Sequence, residues 1–246
     1  MFNVSANLGV QSWCFREFKP LDALIAQVKA IGLSRIEVCG VHADFDNEST
    51  FAGTINTFKN AGVTITSIGV QGFKGDPKEE KWFAFAKQAG CTMISTTFNV
   101  DAYPACVRAT EKLADKYDLV MGIHNHGGYD WLGNEQMLTH VLKNSSPRIG
   151  MCIDTAWAMQ AGIDPIKMTE KYIDRLYGVH IKDFTFLPTG KGEDVVVGTG
   201  NLKLKELLAL IQKAPKCKAI TLEYEGDEKN PGPKLKECVD KIQHAG

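Results

Sequence analysis

Eight short apolar runs, alternating with amphipathic helical patterns, are the feature that most constrains the fold of this chain. Each run is rich in Val, Ile or Thr. Most are apolar without the polar alternation of a half-exposed strand, which is typical of parallel strands buried on both faces. The runs cover residues 8–13, 35–38, 64–70, 92–96, 119–124, 149–154, 177–182 and 219–223.

Helical patterns lie between these runs and place apolar residues at three- and four-residue spacing. One such face consists of Leu21, Leu24, Ile25, Val28 and Ile31. Eight strands alternating with eight helices in about 250 residues is the usual size of a (β/α)₈ barrel. A doubly wound sheet usually has a Gly-rich phosphate loop after its first strand, and no glycine is present there. We therefore predict an α/β fold, a single (β/α)₈ TIM barrel domain over residues 1–246.

Charge and cysteine content exclude several classes of function. The net charge of −1 provides no basic field for nucleic acid or for a membrane surface. The apolar runs are also too short to cross a bilayer. The seven cysteines are odd in number and form no CxxC pair, which favours buried thiols in a reducing cytoplasm. We expect a cytoplasmic protein that binds neither nucleic acid nor membrane.

Four runs in the second half of the chain end on side chains that commonly bind metal ions. These are His124, Asp154, His180 and Glu223. In a barrel, the carboxyl ends of all strands open on one face, where catalytic groups lie. Taken singly, Asp154 is equally typical of a helix cap and His180 of a hydrogen-bonded core residue. Together, two imidazoles and two carboxylates are more simply explained by a shared divalent metal ion.

The spacing leaves two assignments open. Strand alternation places His124 and His126 on the same side, so either is a candidate ligand. Glu223 and Glu225 form a second pair of this kind, in which Glu223 lies nearer the strand. A ligand set of imidazole and carboxylate without thiolate suits Mn²⁺, Co²⁺, Zn²⁺ or Fe²⁺ better than Ca²⁺. We predict one such ion as the cofactor.

Four protein ligands leave positions open on a six-coordinate ion, and two oxygens of a hydroxy-ketone fit there. The ion then acts as a Lewis acid that stabilises an enediolate. Glu223 or Glu225 would remove the proton beside the carbonyl, a task that suits a carboxylate of raised pKa. Lys182 is a candidate to bind a phosphate, a carboxylate or a developing oxyanion; the alternative is an ion pair with Asp183 or Glu223.

Further residues near the strand ends are candidates to contact substrate. Trp13 and Trp157 suit stacking on a sugar ring, although large side chains also plug barrel tops. Glu37 ends the second run and is either a substrate contact or a hydrogen-bond partner of a ligand. His126 and Glu225 are expected to contact substrate if they do not bind the metal.

The longest segment on the same face, residues 187–200, is Gly-rich and is predicted to be a loop that orders over substrate.

Several short segments resemble the sugar phosphate isomerase/epimerase group of xylose-isomerase-like TIM barrels, and within it the inosose-dehydratase-like branch. The group includes ketose 3-epimerases and 3-dehydroshikimate dehydratase. The resemblance covers nearly the whole chain and rests on residues 8–12, Glu37, 154–155, 179–183, 197–200 and 222–225.

This resemblance implies a metal held by residues on successive strands, with Asp154, His180 and Glu223 matching the last three positions. His124, which is also a candidate catalytic residue, stands where the epimerases carry a Glu that is both ligand and base. Trp157 stands where they carry a sugar-binding His. Both departures favour substrates and chemistry other than simple ketose 3-epimerisation.

The function predicted from residues and resemblance together is a divalent-metal-dependent isomerase or epimerase that acts on a keto sugar or sugar derivative. The main alternative is a lyase of inosose-dehydratase type, which starts from the same enediolate. A non-catalytic sugar-binding barrel is a further alternative.

A DNA-repair enzyme like endonuclease IV needs three metals and a basic groove; six histidines and a net charge of −1 argue against it. The predicted partner is a small-molecule sugar, with a homodimer possible by resemblance.

Overall fold

The computed structural model describes residues 3–127 and 129–245. Eight parallel strands close into a barrel, in the order β1-β2-β3-β4-β5-β6-β7-β10, and two further strands pair as an antiparallel hairpin. The strands are β1 (Leu8–Gln11), β2 (Arg35–Val38), β3 (Thr64–Phe73), β4 (Met93–Phe98), β5 (Val120–His124), β6 (Ile149–Asp154), β7 (Leu176–Ile181), β8 (Asp183–Phe186), β9 (Gly192–Val195) and β10 (Ala219–Leu222). The predicted (β/α)₈ barrel is confirmed.

Helices follow the barrel strands and bury their apolar faces. They are α1 (Val4–Asn7), α2 (Leu21–Ala30), α3 (Phe51–Asn60), α4 (Glu80–Gln88), α5 (Ala105–Tyr117), α6 (Glu135–Lys143), α7 (Thr155–Gln160), α8 (Pro165–Tyr172), α9 (Leu204–Ile211) and α10 (Gly232–Ala245). On α2, for example, Leu24, Ile25 and Val28 are buried. No helix in the described part of the chain is long and apolar enough to cross a membrane. All seven cysteines are buried free thiols, as predicted.

The first strand is shorter than its apolar run. It ends at Gln11, and residues 12–15 form a 3₁₀ helix that the Gln11 side chain caps by accepting the N–H of Trp13 at 3.1 Å. The prediction that Trp13 ends this strand is therefore wrong. The apolar side chains of the 3₁₀ turn extend the run beyond the strand, so hydrophobicity alone does not mark the boundary.

The Gly-rich segment after β7 is not an open loop. β8 and β9 pair in antiparallel register from Asp183–Val195 to Phe186–Gly192. Asp183 is buried, and its carboxylate accepts four backbone N–H groups, each at 2.9 Å, from Gly198, Gly200, Asn201 and Leu202. A hairpin and one carboxylate thus hold this segment against the carboxyl end of the barrel.

Candidate metal centre

Four neighbouring strands bring the predicted ligands together. His124 ends β5, Asp154 ends β6, His180 is the last but one residue of β7, and Glu223 directly follows β10. β5, β6, β7 and β10 are consecutive in the barrel, and Asp154 pairs in register with His180. Each of the four side chains offers one ligand atom, and these atoms all lie within 4.8 Å of one another. All four residues are buried.

Three buried atoms in this cluster have no hydrogen-bond partner. One is Nε2 of His180, which lies 3.0 Å from Oε1 of Glu37. The other two are Nε2 of His124 and Oδ2 of Asp154, which lie 3.5 Å apart. Burying polar atoms without a partner is unfavourable by about 1–3 kcal/mol each. A cation between the latter two would satisfy both, and nitrogen and oxygen donors of this kind suit Mn²⁺, Co²⁺, Zn²⁺ or Fe²⁺. The residues present therefore fit a divalent ion.

Asp154 has two separate tasks, one for each oxygen. Oδ1 accepts the N–H of Trp157 at 2.8 Å and so caps α7, while Oδ2 faces the cluster. Asp154 can therefore cap the helix and bind a metal ion at the same time, so the two roles considered for it from the sequence are compatible. The backbone of Asp154 is fixed by the Asn125 side chain, which exchanges two hydrogen bonds of 3.0 Å with it. Asn125 was not predicted to belong to the site.

The structure distinguishes His124 from His126 as a candidate ligand. β5 ends at His124, so strand alternation does not extend to His126. The ring of His124 is buried and meets the ring of His180 edge-on, with the centroids 4.7 Å apart. His126 is exposed and stacks on Trp157, with centroids 4.0 Å apart and an interplanar angle of 29°. Only His124 belongs to the cluster within the described chain.

Glu223 contacts the side chains of His180 and Lys182. Its Oε2 lies 2.7 Å from Nδ1 of His180, and its Oε1 accepts from Nζ of Lys182 at 3.2 Å. Burial alone would raise its pKa, but Lys182, His180 and His124 outweigh burial and hold the pKa well below the usual value. Glu223 is thus a carboxylate before any metal binds. Glu223 therefore does not have the raised pKa that suits a carboxylate base.

Lys182 is held by three carboxylates. Besides Glu223, it contacts Glu225, and its Nζ lies 3.7 Å from Oδ1 of Asp194 on β9. Burial would lower its pKa, but these carboxylates and Asp154 raise it overall, so Lys182 stays charged. The predicted ion pair with Glu223 forms, whereas Asp183 binds the backbone N–H groups described above. Asp194 was missed because it lies in the segment predicted to be a loop.

A cavity of about 570 Å³ opens above the cluster at the carboxyl end of the barrel. Both His124 and Glu223 line it, together with four predicted substrate contacts: Trp13, His126, Trp157 and Glu225. The indole Nε1 of Trp13 donates to Oε2 of Glu225 at 2.9 Å. These four therefore border one cavity, and their contact with substrate stays a prediction.

Glu37 lies outside the cavity lining. It is fully buried, and its Oε1 is 3.0 Å from Nε2 of His180. Burial would raise its pKa, but His180 and the hydroxyls of Ser67 and Ser95 lower it overall. Of the two roles predicted from sequence, its contacts favour that of partner to a ligand.

Comparison with known proteins gives a consistent result. The family model described as "Xylose isomerase-like TIM barrel" matches residues 25–243. A putative uncharacterized protein from Parabacteroides distasonis is 24% identical, with a TM-score of 0.72 over 98% of this chain and 99% of that one. The 3-keto-D-glucoside 4-epimerase YcjR from E. coli is 14% identical, with a TM-score of 0.75 over 97% and 99%. The probable 3-DHS dehydratase AsbF from Bacillus anthracis is 15% identical, with a TM-score of 0.72 over 96% and 98%.

At these identities the structural matches establish the fold alone. No curated protein matches the sequence of this chain.

Proposed function

The chain belongs to the family of xylose isomerase-like TIM barrels, and from this we propose that it is a metal-dependent isomerase or epimerase of an uncharged keto sugar or sugar derivative. One observation carries the proposal. Four adjacent strand ends bring together two imidazoles and two carboxylates beneath a cavity, with Nε2 of His124 and Oδ2 of Asp154 lacking other partners.

His124, Asp154, His180 and Glu223 would hold the ion. When bound there, a divalent ion supplies Lewis acidity that stabilises negative charge on substrate oxygens. Glu223 is the proposed base for the proton beside the carbonyl, since it is ionised, buried and borders the cavity. Lys182 fixes the Glu223 carboxylate and keeps it unprotonated. A low pKa weakens a base in solution, so this assignment depends on substrate and carboxylate being held close together.

Isomerisation also needs a group that returns a proton to a different atom or face. His126 borders the same cavity and is exposed, so its imidazole has access to both substrate and water. An imidazole has one nitrogen that accepts a proton and one that donates it, which suits proton transfer in both directions. We propose His126 for this role, with His124 as a ligand. This division differs from the epimerases that the sequence resembles, in which a Glu at the position of His124 is both ligand and base.

The charges around the cavity favour an uncharged substrate. Three acids line it, namely Asp130, Glu223 and Glu225, and the described lining residues include no Lys or Arg. Lys182 is buried among carboxylates, and Arg16 pairs with Glu228 at 2.6 Å. A phosphate or carboxylate on the substrate would therefore meet acidic groups without a Lys or Arg of the described lining to balance its charge.

Turnover of matched substrates tests this proposal. We expect the protein, loaded with Mn²⁺, Co²⁺ or Zn²⁺, to convert neutral keto sugars or inososes with kcat/KM at least about tenfold above their phosphorylated counterparts, a difference of about 1.4 kcal/mol. Mass spectrometry of the products checks the reaction class. An unchanged mass supports isomerisation, whereas loss of water identifies the lyase alternative. Conversion of the phosphorylated sugars alone would contradict the assignment of an uncharged substrate.

A further inference from the structure

Glu37 on β2 contacts the far side of the candidate ligand His180. The two ring nitrogens of His180 face different carboxylates: Nδ1 lies 2.7 Å from Oε2 of Glu223, and Nε2 lies 3.0 Å from Oε1 of Glu37. His180 and Glu37 are both fully buried. The Nε2–Oε1 contact with Glu37 is close, although its geometry falls short of a well-directed hydrogen bond.

Three other strands hold the Glu37 carboxylate in place. Gln11 on β1 donates from Nε2 to Oε1 at 2.6 Å. Ser67 on β3 and Ser95 on β4 donate from their hydroxyls to Oε2 at 2.5 Å and 2.6 Å. Both oxygens of Glu37 are thus engaged, which leaves this carboxylate poorly placed to bind an ion itself and well placed to fix a neighbour.

The backbone of β3 makes room for this arrangement at Gly69. A Cβ at that position would lie 2.5 Å from Cβ of Ser95 and 3.2 Å from Oε1 of Glu37. Any side chain there would displace Ser95 or the carboxylate. The Gly69 backbone carbonyl also lies 3.4 Å from Nε2 of Gln11, so the same residue contacts one of the donors.

We propose that Glu37 is a positioning residue of the metal centre: by pairing with Nε2 of His180 it fixes the imidazole and leaves Nδ1 as the atom that binds the ion. This inference rests on the metal site of the proposed function. Ligating imidazoles generally pair their second nitrogen with a carboxylate or carbonyl, and loss of that partner lowers metal affinity by about 10–100-fold.

Calorimetric titration of the metal-free protein with Zn²⁺ tests the role of Glu37. We expect Glu37→Gln to bind Zn²⁺ about 10–100-fold more weakly than the wild type. Ser67→Ala is the matched control, because it removes one donor from the same carboxylate and keeps the contact with His180; its affinity should change by less than about tenfold. Thermal melting of each metal-free variant separates a loss of affinity from a loss of folding.

A measurement on the unmutated protein gives a second test. In the Zn²⁺-loaded wild type, nitrogen-15 spectra should show His180 protonated at Nε2 and without a proton at Nδ1. Zinc bound at Nε2, or an unchanged affinity in Glu37→Gln, would overturn the role of Glu37 alone. A wild type that takes up no Zn²⁺, Mn²⁺ or Co²⁺ would overturn both this inference and the metal-dependent function.

Discussion

Replacing Asp154 with Asn should abolish stoichiometric binding of a divalent ion. Oδ2 of Asp154 is a buried oxygen without a partner, 3.5 Å from Nε2 of His124, and the substitution removes its charge. We expect a loss of affinity larger than the roughly 10–100-fold that follows loss of a ligand's supporting partner. Metal content after dialysis and calorimetric titration measure it.

The Asn variant is chosen because it preserves the other task of this residue. Oδ1 of Asp154 caps α7 through the N–H of Trp157, and an Asn oxygen caps a helix equally well. The metal-free variant should therefore unfold at nearly the same temperature as the metal-free wild type. Addition of metal at about 100 times its Kd should stabilise the wild type by about 2.7 kcal/mol and Asp154→Asn hardly at all. Equal stabilisation of both proteins would show that Asp154 is not a ligand.

Replacing Glu223 with Gln should lower kcat by about 10²–10⁴-fold, the usual contribution of a general base. The amide has nearly the same shape but cannot accept the proton, and it also weakens the pairing with Lys182. Steady-state kinetics at saturating metal measures the effect.

Glu225→Gln is the matched control for Glu223. The substitution removes one negative charge, as Glu223→Gln does. Glu225, like Glu223, borders the cavity and contacts Lys182. It does not belong to the ligand cluster of the described chain. We expect a smaller loss of kcat than in Glu223→Gln. A larger loss in Glu225→Gln would identify Glu225 as the base instead.

The barrel could be predicted because its signal is local. Strands buried on both faces have apolar runs such as residues 149–154, which coincide with β6 (Ile149–Asp154). The hairpin of β8 and β9 was missed because these short strands include polar residues and carry no such run. Asp183 organises the following turn through backbone N–H groups from residues 198–202, and nothing in a sequence distinguishes these from any other N–H groups.

The site was predictable as a set of residue types at strand ends, but not as individual roles. The choice between His124 and His126 depends on the residue at which β5 ends, and boundaries are the weakest part of a sequence prediction. Asp194 and Asn125 could be assigned to the site only from the structure, because their partners Lys182 and Asp154 are distant from them in the sequence.

The metal content of the purified protein, compared with that of its His124→Ala and His126→Ala variants, tests whether the four residues at the strand ends bind a divalent ion. We expect about one Mn, Co, Zn or Fe per wild-type chain, retained in His126→Ala and lost in His124→Ala, since only the buried imidazole faces Asp154. A wild type that binds none of these ions, or a site lost with His126 and kept without His124, would contradict this assignment.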